Sequence, residues 1–245
     1  MALIRTEKHS PRDLESWERV ERVAAIHARL KRHQGRVVVA ERELLSFAQL
    51  GRCYVGVSWG KDSVAVADMA QRLCPHVPLV WIRVEPIVNP ECEAVRDAFL
   101  ATFPAAEYHE IVRHCRIDET GIHASGTLES GFAEAAQRFG DRYVSGIRAD
   151  ESGMRKMRYL KHGHSTARTC APLSRWSGDD IFAYLCSRGL PIHPAYGYLM
   201  DGILDPRRVR VASLGGERGT GWGRREWERR YYGEELAAIE RLTSE

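Results

Sequence analysis

The 245-residue sequence is short of the features that mark several common classes of protein. Its six cysteines lie far apart and form no Cys-x-x-Cys pair, so the sequence contains no local zinc or iron–sulfur motif. No stretch approaches the roughly 20 apolar residues of a membrane span, and residues 1–12 carry charges where a signal peptide would be apolar. These absences predict a cytoplasmic protein with no membrane association, whose cysteines are mostly buried thiols.

The sequence also lacks a large net charge, because 36 Lys and Arg side chains face 33 Asp and Glu side chains and leave only +3. The charge is unevenly distributed: residues 146–232 contain 16 basic and 9 acidic side chains, or +7, and the remaining residues carry −4. Neither an internal repeat nor a low-complexity segment is present. The length and the 44% apolar content suit one large α/β domain with a modest appendage. The uneven charge predicts that one part of the protein faces an anionic partner.

What the sequence does contain is a strand, a tight turn and a helix within residues 53–73. The apolar run 53–57 predicts a buried strand, and residues 63–73 have the composition of a helix. A glycine in the turn lets the backbone approach a ligand, while the first helical amides, the helix dipole and a lysine attract negative charge. The turn therefore predicts a polyphosphate site, formed by Ser58, Trp59, Gly60, Lys61, Asp62 and Ser63.

The spacing in this turn excludes a Walker loop. Such a loop has two glycines flanking four residues before Lys-Ser/Thr, whereas only three residues separate Gly56 from Gly60, and Asp62 lies between Lys61 and Ser63. The turn instead resembles the Ser-Gly-Gly-Lys-Asp-Ser loop of the PP-loop ATP pyrophosphatases, with Trp59 at the first glycine. In that family the loop holds the β,γ-pyrophosphate of ATP or, in one branch, the phosphates of a sulfonucleotide.

Strand and helix patterns alternate along the chain. Helices are predicted at residues 10–31, 39–50, 63–73, 90–102, 126–139 and 177–188, and strands at residues 53–57, 79–84, 107–112 and 141–145. One of two interpretations of the C-terminal segment adds a helix at residues 224–242. Gly35 is expected to end the first helix. The alternation predicts an α/β fold with a doubly wound, mostly parallel twisted sheet and helices on both faces. Residues 1–50 would form N-terminal helices, residues 51–200 the nucleotide-binding domain, and residues 201–245 a basic C-terminal extension.

Ligands of such sheets bind at the carboxyl ends of strands, so the segments 58–62, 84–86 and 145–151 are expected to face one crevice. The second segment brings Val84 to it, and the third brings Gly146 and Glu151. Arg148 and Arg155 follow the same strand. Because guanidinium groups match phosphate oxygens with forked donors and a permanent charge, these two arginines are assigned to the α-phosphate and the leaving pyrophosphate.

Two further segments extend the resemblance. Gly-Ile-Arg-Ala-Asp-Glu-Ser at 146–152, followed by Arg155, is similar to the Gly-x-Arg-x-x-Glu-Ser-x-x-Arg segment of the phosphoadenylylsulfate (PAPS) reductase-like branch of the PP-loop superfamily. Residues 172–196 are similar to its Pro-Leu-x-x-Trp and Leu-Pro-x-x-Pro-x-Tyr patterns. The resemblance covers residues 38–198 and implies an adenine nucleotide alpha hydrolase-like fold. It also implies that ATP, bound with Mg²⁺, adenylylates a substrate and releases pyrophosphate, with Asp62 as the candidate metal ligand.

The sequence departs from this branch at its end. PAPS reductases finish with a Glu-Cys-Gly-x-His tail that carries the nucleophile, whereas no cysteine follows Cys186 here. Cys170, two residues after Arg168, is the best remaining thiol because neighbouring cations would favour its thiolate, and Cys92 is a weaker candidate. A reductase that uses Cys170 is therefore one alternative. A binding module without chemistry is another, because the indole of Trp59 could crowd the pyrophosphate.

The C-terminal residues 205–232 interleave arginines with aromatic residues among glycines, and two interpretations stay open. The first is a DNA or tRNA surface on which arginines contact phosphates while Trp222, Trp227, Tyr231 and Tyr232 stack on bases. It implies sulfur modification of nucleic acid with a separate sulfur-donor protein. The second is a glycine-rich lid over the nucleotide, followed by a helix that packs its tryptophans. The first helix of the chain is also a candidate contact for a homodimer.

Overall fold

The computed structural model describes residues 3–118, 121–123, 126–215 and 224–242. Its helices are α1 (Pro11–His27), α2 (Lys31–Gln49), α3 (Lys61–Leu73), α4 (Glu91–Thr102), α5 (Thr127–Phe139), α6 (Gly153–His162), α7 (Gly178–Arg188) and α8 (Arg224–Leu242). Its strands are β1 (Tyr54–Val57), β2 (Leu79–Glu85), β3 (Tyr108–His114), β4 (Arg116–Asp118), β5 (Gly121–His123), β6 (Tyr143–Val144) and β7 (Thr169–Cys170). In this described part, no helix combines the length and apolar character of a membrane span.

Five strands form one parallel sheet in the order β3-β2-β1-β6-β7, and β4 and β5 form a separate antiparallel pair. From β1 the chain proceeds to β2 and β3 on one side and later to β6 and β7 on the other. The strand order therefore reverses between β1 and β6, which opens a crevice at their carboxyl ends. The predicted parallel, doubly wound α/β sheet is confirmed.

Helices cover both faces of the sheet because successive strand residues point to opposite sides. Val55 and Val57 of β1 belong to the large core that includes α3 and α7. Tyr54 and Val80 point the other way and pack with Phe139 of α5. The 58–63 loop at the end of β1 is thus held between two packed layers.

The capped helices begin where their sequences indicate. Ser10 caps α1 and Ser177 caps α7, each accepting a hydrogen bond from the backbone N–H three residues later. Gly189 ends α7 in the left-handed conformation, with φ of 64°. The prediction for Gly35 is wrong, because α1 already ends at His27 and Gly35 lies within α2. No glycine or proline marks the turn at residues 28–30, so the sequence pattern could not locate it.

The helix α6 and the short strand β7 are not predicted from the sequence. Ser152 caps α6 by accepting from the N–H of Arg155 at 3.2 Å, but none of the residues of α6 is buried. Its apolar side chains therefore show no stripe directed to the core, which is the signal that reveals most helices. β7 has only two residues, which is too short for an alternation pattern.

Candidate nucleotide site

The loop between β1 and α3 has the sharp turn that its sequence suggests. Trp59 adopts φ of +58°, in the left-handed region that favours glycine. Its indole is fully buried and packs against the rings of Phe99 and Tyr108, with centroids 5.6 Å away in each case. The indole therefore points into the core, and only the backbone of Trp59 contributes to the loop.

Ser63 stabilises the loop from within. Its hydroxyl donates to the carbonyl of Gly60 at 3.0 Å and accepts from the N–H of Ser58 at 3.2 Å. These two hydrogen bonds connect Ser63, the last residue of the loop, to Ser58 and Gly60. The structure therefore gives Ser63 a conformational role, with its hydroxyl already engaged.

Residues from the C-terminal third cover the loop. The hydroxyl of Tyr196 accepts from the N–H of Lys61 at 3.1 Å, so it caps an amide at the start of α3. A Cβ placed on Gly60 would lie 3.3 Å from the Tyr196 hydroxyl and 3.3 Å from Cγ2 of Val211. We refer to residues 209–214, which include Val211, as the covering segment.

The covering segment is attached to the chain that follows β2. The N–H of Leu214 donates to the carbonyl of Ile87 at 2.7 Å, and the N–H of Asn89 donates to the carbonyl of Ala212 at 3.4 Å. Val84 packs with Ile87 and Cys115 in a small separate cluster. The end of β2 thus meets the 58–63 loop through the covering segment, with Val84 in a supporting position.

The segment after β6 contacts the loop directly. A Cβ on Gly146 would lie 2.8 Å from both the carbonyl carbon and oxygen of Asp62, and 3.0 Å from the nitrogen of Ser63. Only a glycine fits at this distance without displacing backbone. The expected convergence of the β1 and β6 ends is therefore observed, and Gly146 is the point of contact.

Asp62 is held between two cations. Nε of Arg148 donates to its Oδ1 at 2.6 Å, and Nζ of Lys61 lies 3.3 Å from its Oδ2. Arg148 also donates to the carbonyl of Trp176 and to Asp150, at 3.4 Å each, and is almost completely buried. With these partners Arg148 links the β6 segment to the 58–63 loop. The sequence analysis expected its guanidinium to face phosphates in the crevice, but the guanidinium is instead engaged by Asp62, Asp150 and the carbonyl of Trp176.

Lys61 keeps its positive charge although it is only 4% exposed. Burial opposes that charge, but Asp62 and Tyr196 outweigh it, so the pKa of Lys61 is raised above its ordinary value. Nζ lies 4.8 Å from the centroid of the Tyr196 ring, which adds a cation–π contact. A charged, desolvated lysine beside the first turn of α3 is suited to a strongly anionic ligand.

More positive charge lies near the mouth of the site. Arg155 contacts the carboxylate of Glu151, which also accepts from the backbone N–H of Arg148 at 3.4 Å. Burial lowers the pKa of the Arg155 guanidinium, and the positive charges of Arg210 and Arg148 lower it further. These arginines repel one another, and a bound anion would relieve that repulsion.

Asp62 does not fit the role of a metal ligand in this arrangement. Both of its carboxylate oxygens face a cation, Lys61 on one side and Arg148 on the other. Asp150 and Glu151 likewise face Arg148. The described residues of the loop therefore offer a metal ion no free carboxylate.

Among the described residues, one group has metal-like geometry, but it lies at the start of α7 and not at the loop. His27 and His33 contact Oδ1 of Asp180 at 3.0 and 3.1 Å, and Arg36 contacts Oδ2. Burial opposes the charge of Asp180, but hydrogen bonds from His33, Ser177 and His27 outweigh it and hold its pKa far below the ordinary value. The donors already satisfy the carboxylate, so this group is a structural tie between α2 and α7.

The candidate thiols lie in apolar surroundings. Cys170 is fully buried, and its Sγ faces the carbonyl of Glu43 at 3.9 Å. Burial raises the pKa of Cys170 to about 12, the opposite of the activation that Arg168 was expected to provide, since that guanidinium pairs with Asp141. Burial also raises the pKa of Cys92, which is fully enclosed. Neither thiol fits a nucleophile.

The aromatic residues of α8 pack inside the protein. Trp227, Tyr231 and Tyr232 are buried, and the indole N–H of Trp227 donates to the carbonyl of Tyr198 at 2.8 Å. Of the two interpretations of the C-terminal segment, base stacking by these three rings is therefore wrong, and the packing of Trp227 within the helix is confirmed. Trp222 and the rest of residues 216–223 lie outside the described part of the chain.

Two residues of the site, Tyr196 and Val211, were given no role from the sequence. Tyr196 ends the Leu-Pro-x-x-Pro-x-Tyr pattern, so the pattern itself could have suggested it. Val211 follows Arg210 and lies two residues after Val209, and nothing local distinguishes it from that valine or others. Its position over Gly60 depends on how the covering segment pairs with residues 87–89.

No protein-family model and no curated protein matches the chain. A solved structure of PAPS reductase from Candida auris in complex with phosphate is similar over 82% of this chain and 97% of that chain, with 12% identity and a TM-score of 0.48. The U34-tRNA thiolase NcsA from Methanococcus maripaludis, solved with its 4Fe-4S cluster, is similar over 85% of this chain and 79% of that chain, with 14% identity and a TM-score of 0.48. Both likenesses are distant and carry no conclusion about function.

Proposed function

We propose that the chain binds ATP at the 58–63 loop and transfers its adenylyl group to an acceptor, with release of pyrophosphate. The observation that carries this proposal is Lys61, a buried lysine that stays charged beside the first turn of α3. It lies at the point where the strand order reverses, which is where sheets of this kind bind ligands. A chain of phosphates would satisfy both this lysine and the helix amides.

In this proposal the residues act by position and charge. Lys61 and the α3 amides would hold the β- and γ-phosphates, while Arg155 and Arg210 add positive charge near the mouth of the site. An oxygen of the acceptor attacks the α-phosphorus as the bond to the bridging oxygen breaks, and pyrophosphate leaves with the electron pair. Mg²⁺ bound with the nucleotide would neutralise part of the phosphate charge. The cover formed by Tyr196 and Val211 would limit competing attack by water.

We further infer that the adenylylated acceptor serves sulfur transfer and that the sulfur comes from a separate donor protein. The resemblance of residues 146–152 and 172–196 to the PAPS reductase-like branch supports sulfur transfer. The state of the cysteines supports a separate donor, because burial raises the pKa of all six thiols. Five of them are buried and Cys186 is only partly exposed. A chain without an accessible thiolate is a poor sulfur carrier. For the same reason no observation favours a sulfonucleotide reductase that uses Cys170.

Analysis of the nucleotide products tests the proposal. With ATP, Mg²⁺ and an extract that contains candidate acceptors, the wild type is expected to form AMP and pyrophosphate. Lys61→Met should reduce turnover at least about 100-fold, in the range found when one group that stabilises developing charge is removed. Lys31→Met, at an exposed lysine of α2, is the matched control and should retain turnover.

Calorimetry of ATP binding without an acceptor shows whether a failure to form AMP comes from a lost nucleotide site or from a missing acceptor. Formation of ADP and phosphate by the wild type would contradict adenylyl transfer. Equal affinity for ATP in the wild type and Lys61→Met would remove the loop from the site.

A further inference from the structure

The helix α6 directs its apolar side chains to solvent. Met154, Met157 and Leu160 are 85%, 66% and 74% exposed, and their spacing of three residues places them along one stripe. On the opposite side of the helix, the hydroxyl of Tyr159 donates to the carbonyl of Ile147 at 3.2 Å. An exposed apolar stripe on a helix that packs through its polar side marks an interaction surface.

Helix α6 and the residues that follow it in the sequence carry charge of one sign. Residues 152–178 contain six Lys and Arg and no Asp or Glu. Three of the six have partners, since Arg155 contacts Glu151, Arg168 pairs with Asp141 and Arg175 donates to His164. The other three are exposed, and no ion pair to another described residue is found for them: Lys156, Arg158 and Lys161. We call these three cations and the apolar stripe the α6 surface.

Such a surface suits a partner that repeats negative charge along its length. Protein surfaces mix both signs, and a protein partner would be expected to meet some acidic side chains among the basic ones. A nucleic-acid backbone repeats one negative charge per nucleotide and is contacted by Lys and Arg. The absence of any acid in residues 152–178 therefore favours a nucleic acid over an acidic protein.

A cavity of about 310 Å³ lies between α6 and the strands β6 and β7. Its lining includes Tyr143, Ser145, Arg158, Tyr159 and His162. The volume is at the lower end of small-ligand pockets, about 300 Å³, which suits one nucleobase. The rings of Tyr143 and Tyr159 are already stacked on Tyr54 and His164. The guanidinium of Arg158 and the ring of His162 are planar groups on which an unstacked base can stack, and the hydroxyl of Ser145 can hydrogen-bond to it.

The cavity is adjacent to the 58–63 loop. Ser145 and Ile147 line it, while Gly146 between them packs on the backbone of Asp62 and Ser63. The segment 145–147 would therefore lie between a base in the cavity and the 58–63 loop. Its backbone would run along α6, where Arg158 belongs both to the cavity and to the exposed cations.

We infer that the α6 surface binds single-stranded nucleic acid and that the cavity holds one unstacked base of the strand. A single strand is specified because a base has to leave its stack and its pairing partner before it can enter a cavity. The role of that base as the acceptor of the adenylyl group rests on the proposed function, whereas the binding itself does not.

Fluorescence anisotropy tests the binding, with end-labelled single-stranded RNA and DNA of about 16 nucleotides and a duplex of the same sequence, in the absence of ATP. The variant Lys156→Glu/Lys161→Glu should weaken binding of the single strand at least tenfold. Loss of two phosphate contacts should also reduce the slope of log affinity against log salt by about 1.4. Wild-type binding of the duplex as tight as that of both single strands would overturn the proposal.

The matched control is Arg225→Glu/Arg229→Glu, which makes the same change of charge at two exposed arginines of α8. These residues belong to the C-terminal segment that the sequence suggested as a nucleic-acid surface. The control should bind nearly as well as the wild type. Equal losses in the two variants, a larger loss in the control, or no binding by the wild type would overturn the α6 assignment. Circular dichroism of both variants confirms that they are folded.

Photo-crosslinking tests the cavity. A strand with 4-thiouridine at one position is expected to crosslink to Tyr143 or Tyr159, mapped by peptide mass spectrometry, and crosslinks confined to residues 224–242 would overturn the assignment. The two proposals can fail separately. If ATP yields no AMP while strand binding depends on Lys156 and Lys161, the proposed function is wrong and the α6 surface stands. If AMP forms and both double variants bind the strand with the same affinity, the proposed function stands and the assignment of the α6 surface is wrong.

Discussion

Asp62 and Arg148 form a tie between two loops that are 86 positions apart in the chain. The carboxylate holds Arg148 at 2.6 Å on one oxygen and Lys61 at 3.3 Å on the other. Breaking such a buried pair by removing one partner is costly, because the other charge is left without compensation. If the loop binds a nucleotide as proposed, Arg148 would act on it through Asp62 and the loop, as a positioning residue.

At Gly146, the addition of a single methyl group should push the segment after β6 away from the 58–63 loop. In Gly146→Ala the new Cβ would meet the backbone of Asp62 at 2.8 Å, and backbone cannot move aside as a flexible side chain can. We expect the free energy of unfolding to fall by about 1–3 kcal/mol and ATP binding to weaken. Urea denaturation and calorimetry measure both effects.

The control for this change is Gly153→Ala in the first turn of α6, where a Cβ meets nothing within 4 Å. There the alanine should be neutral or stabilise by up to about 1 kcal/mol, because of its better helix propensity. Equal effects of the two substitutions would show that the close approach of Gly146 to the loop has no energetic consequence.

Tyr196 gives a prediction with an unusual sign. Its hydroxyl accepts from the N–H of Lys61, an amide that a phosphate would also use. In Tyr196→Phe that buried N–H loses its partner, which should lower the free energy of unfolding by about 1–3 kcal/mol in the free protein. A bound phosphate would restore the hydrogen bond, so pyrophosphate should bind about tenfold more tightly to the variant.

Calorimetry with pyrophosphate and urea denaturation with and without it measure the two effects of Tyr196→Phe. Tyr184→Phe is the control, because its hydroxyl donates to Asp68 at 2.5 Å and not to the loop. It should lower stability without changing the affinity for pyrophosphate. Weaker pyrophosphate binding in Tyr196→Phe would mean that the Lys61 amide does not contact the ligand.

Among the elements, the contrast between α7 and α6 shows how much of the fold the sequence can predict. Helix α7 has a capping serine, acidic residues in its first turn and Gly189 in the left-handed conformation at its end, and all of these signals are local. In α6 the side that contacts the protein is polar and only half-buried, while the apolar side is exposed, so its pattern misleads. Local signals therefore find elements that stand on their own, and miss those whose orientation depends on a partner.

The same limit applies to the candidate site. The turn chemistry of Gly60 and Lys61 predicts an anion site because backbone geometry and charge are local properties. The direction of the Trp59 indole depends on Phe99 and Tyr108, which lie far along the chain. The burial of Cys170 likewise depends on α2, so the sequence predicted the wrong direction for the pKa of its thiol.

Asp180 is predicted to fasten α2 to α7. Its carboxylate is buried and accepts hydrogen bonds from His33 and Ser177, besides its contact with Arg36. Asp180→Asn should lower the free energy of unfolding by about 3 kcal/mol at pH 7, as when a buried ion pair loses one partner. Asp179→Asn, at the partly exposed neighbour that pairs with Arg207, should cost less than about 1 kcal/mol.

This contribution of Asp180 depends on pH with a definite sign. The folded protein holds its pKa below the ordinary value of 3.8. The stabilisation is therefore complete above that value and declines as the pH falls below it, because the unfolded chain then takes up a proton that the folded protein refuses. Urea denaturation of the wild type and Asp180→Asn should show a constant difference down to about pH 4, and a smaller one below. A difference that grows in acid would contradict this tie.

On the scale of the whole molecule, the sheet consists of two halves joined by a short seam. In the described strands, β1 and β6 pair through Tyr54↔Tyr143 and Val55↔Val144 alone. The strands β2 and β3, by contrast, pair along their full length, from Leu79↔Tyr108 to Glu85↔His114. The crevice lies at the seam, so a ligand that contacts the β1 loop and the β6 segment together would link the two halves.

Hydrogen exchange should detect that link. The N–H of Ser145 donates to the carbonyl of Cys170 at 2.9 Å and reports on the half that contains β6 and β7. At an ATP concentration about 100 times the dissociation constant, any opening that releases the ligand costs about 2.7 kcal/mol more, or about 100-fold slower exchange. The amide of Ser145 should therefore slow markedly, while the amides between β2 and β3, already protected by a long ladder, should change less.

The variant Lys61→Met separates this effect from nonspecific binding, because it keeps both halves of the sheet and removes the charge at the loop. Exchange at Ser145 should then be the same with and without ATP. If ATP slowed exchange in the wild type only along β2 and β3, the nucleotide would contact one half of the sheet and leave the seam open. A nucleotide bound to that half alone would hold its α-phosphate away from the α6 surface, which belongs to the other half. The proposed transfer of the adenylyl group to an acceptor bound beside β6 would then be geometrically impossible.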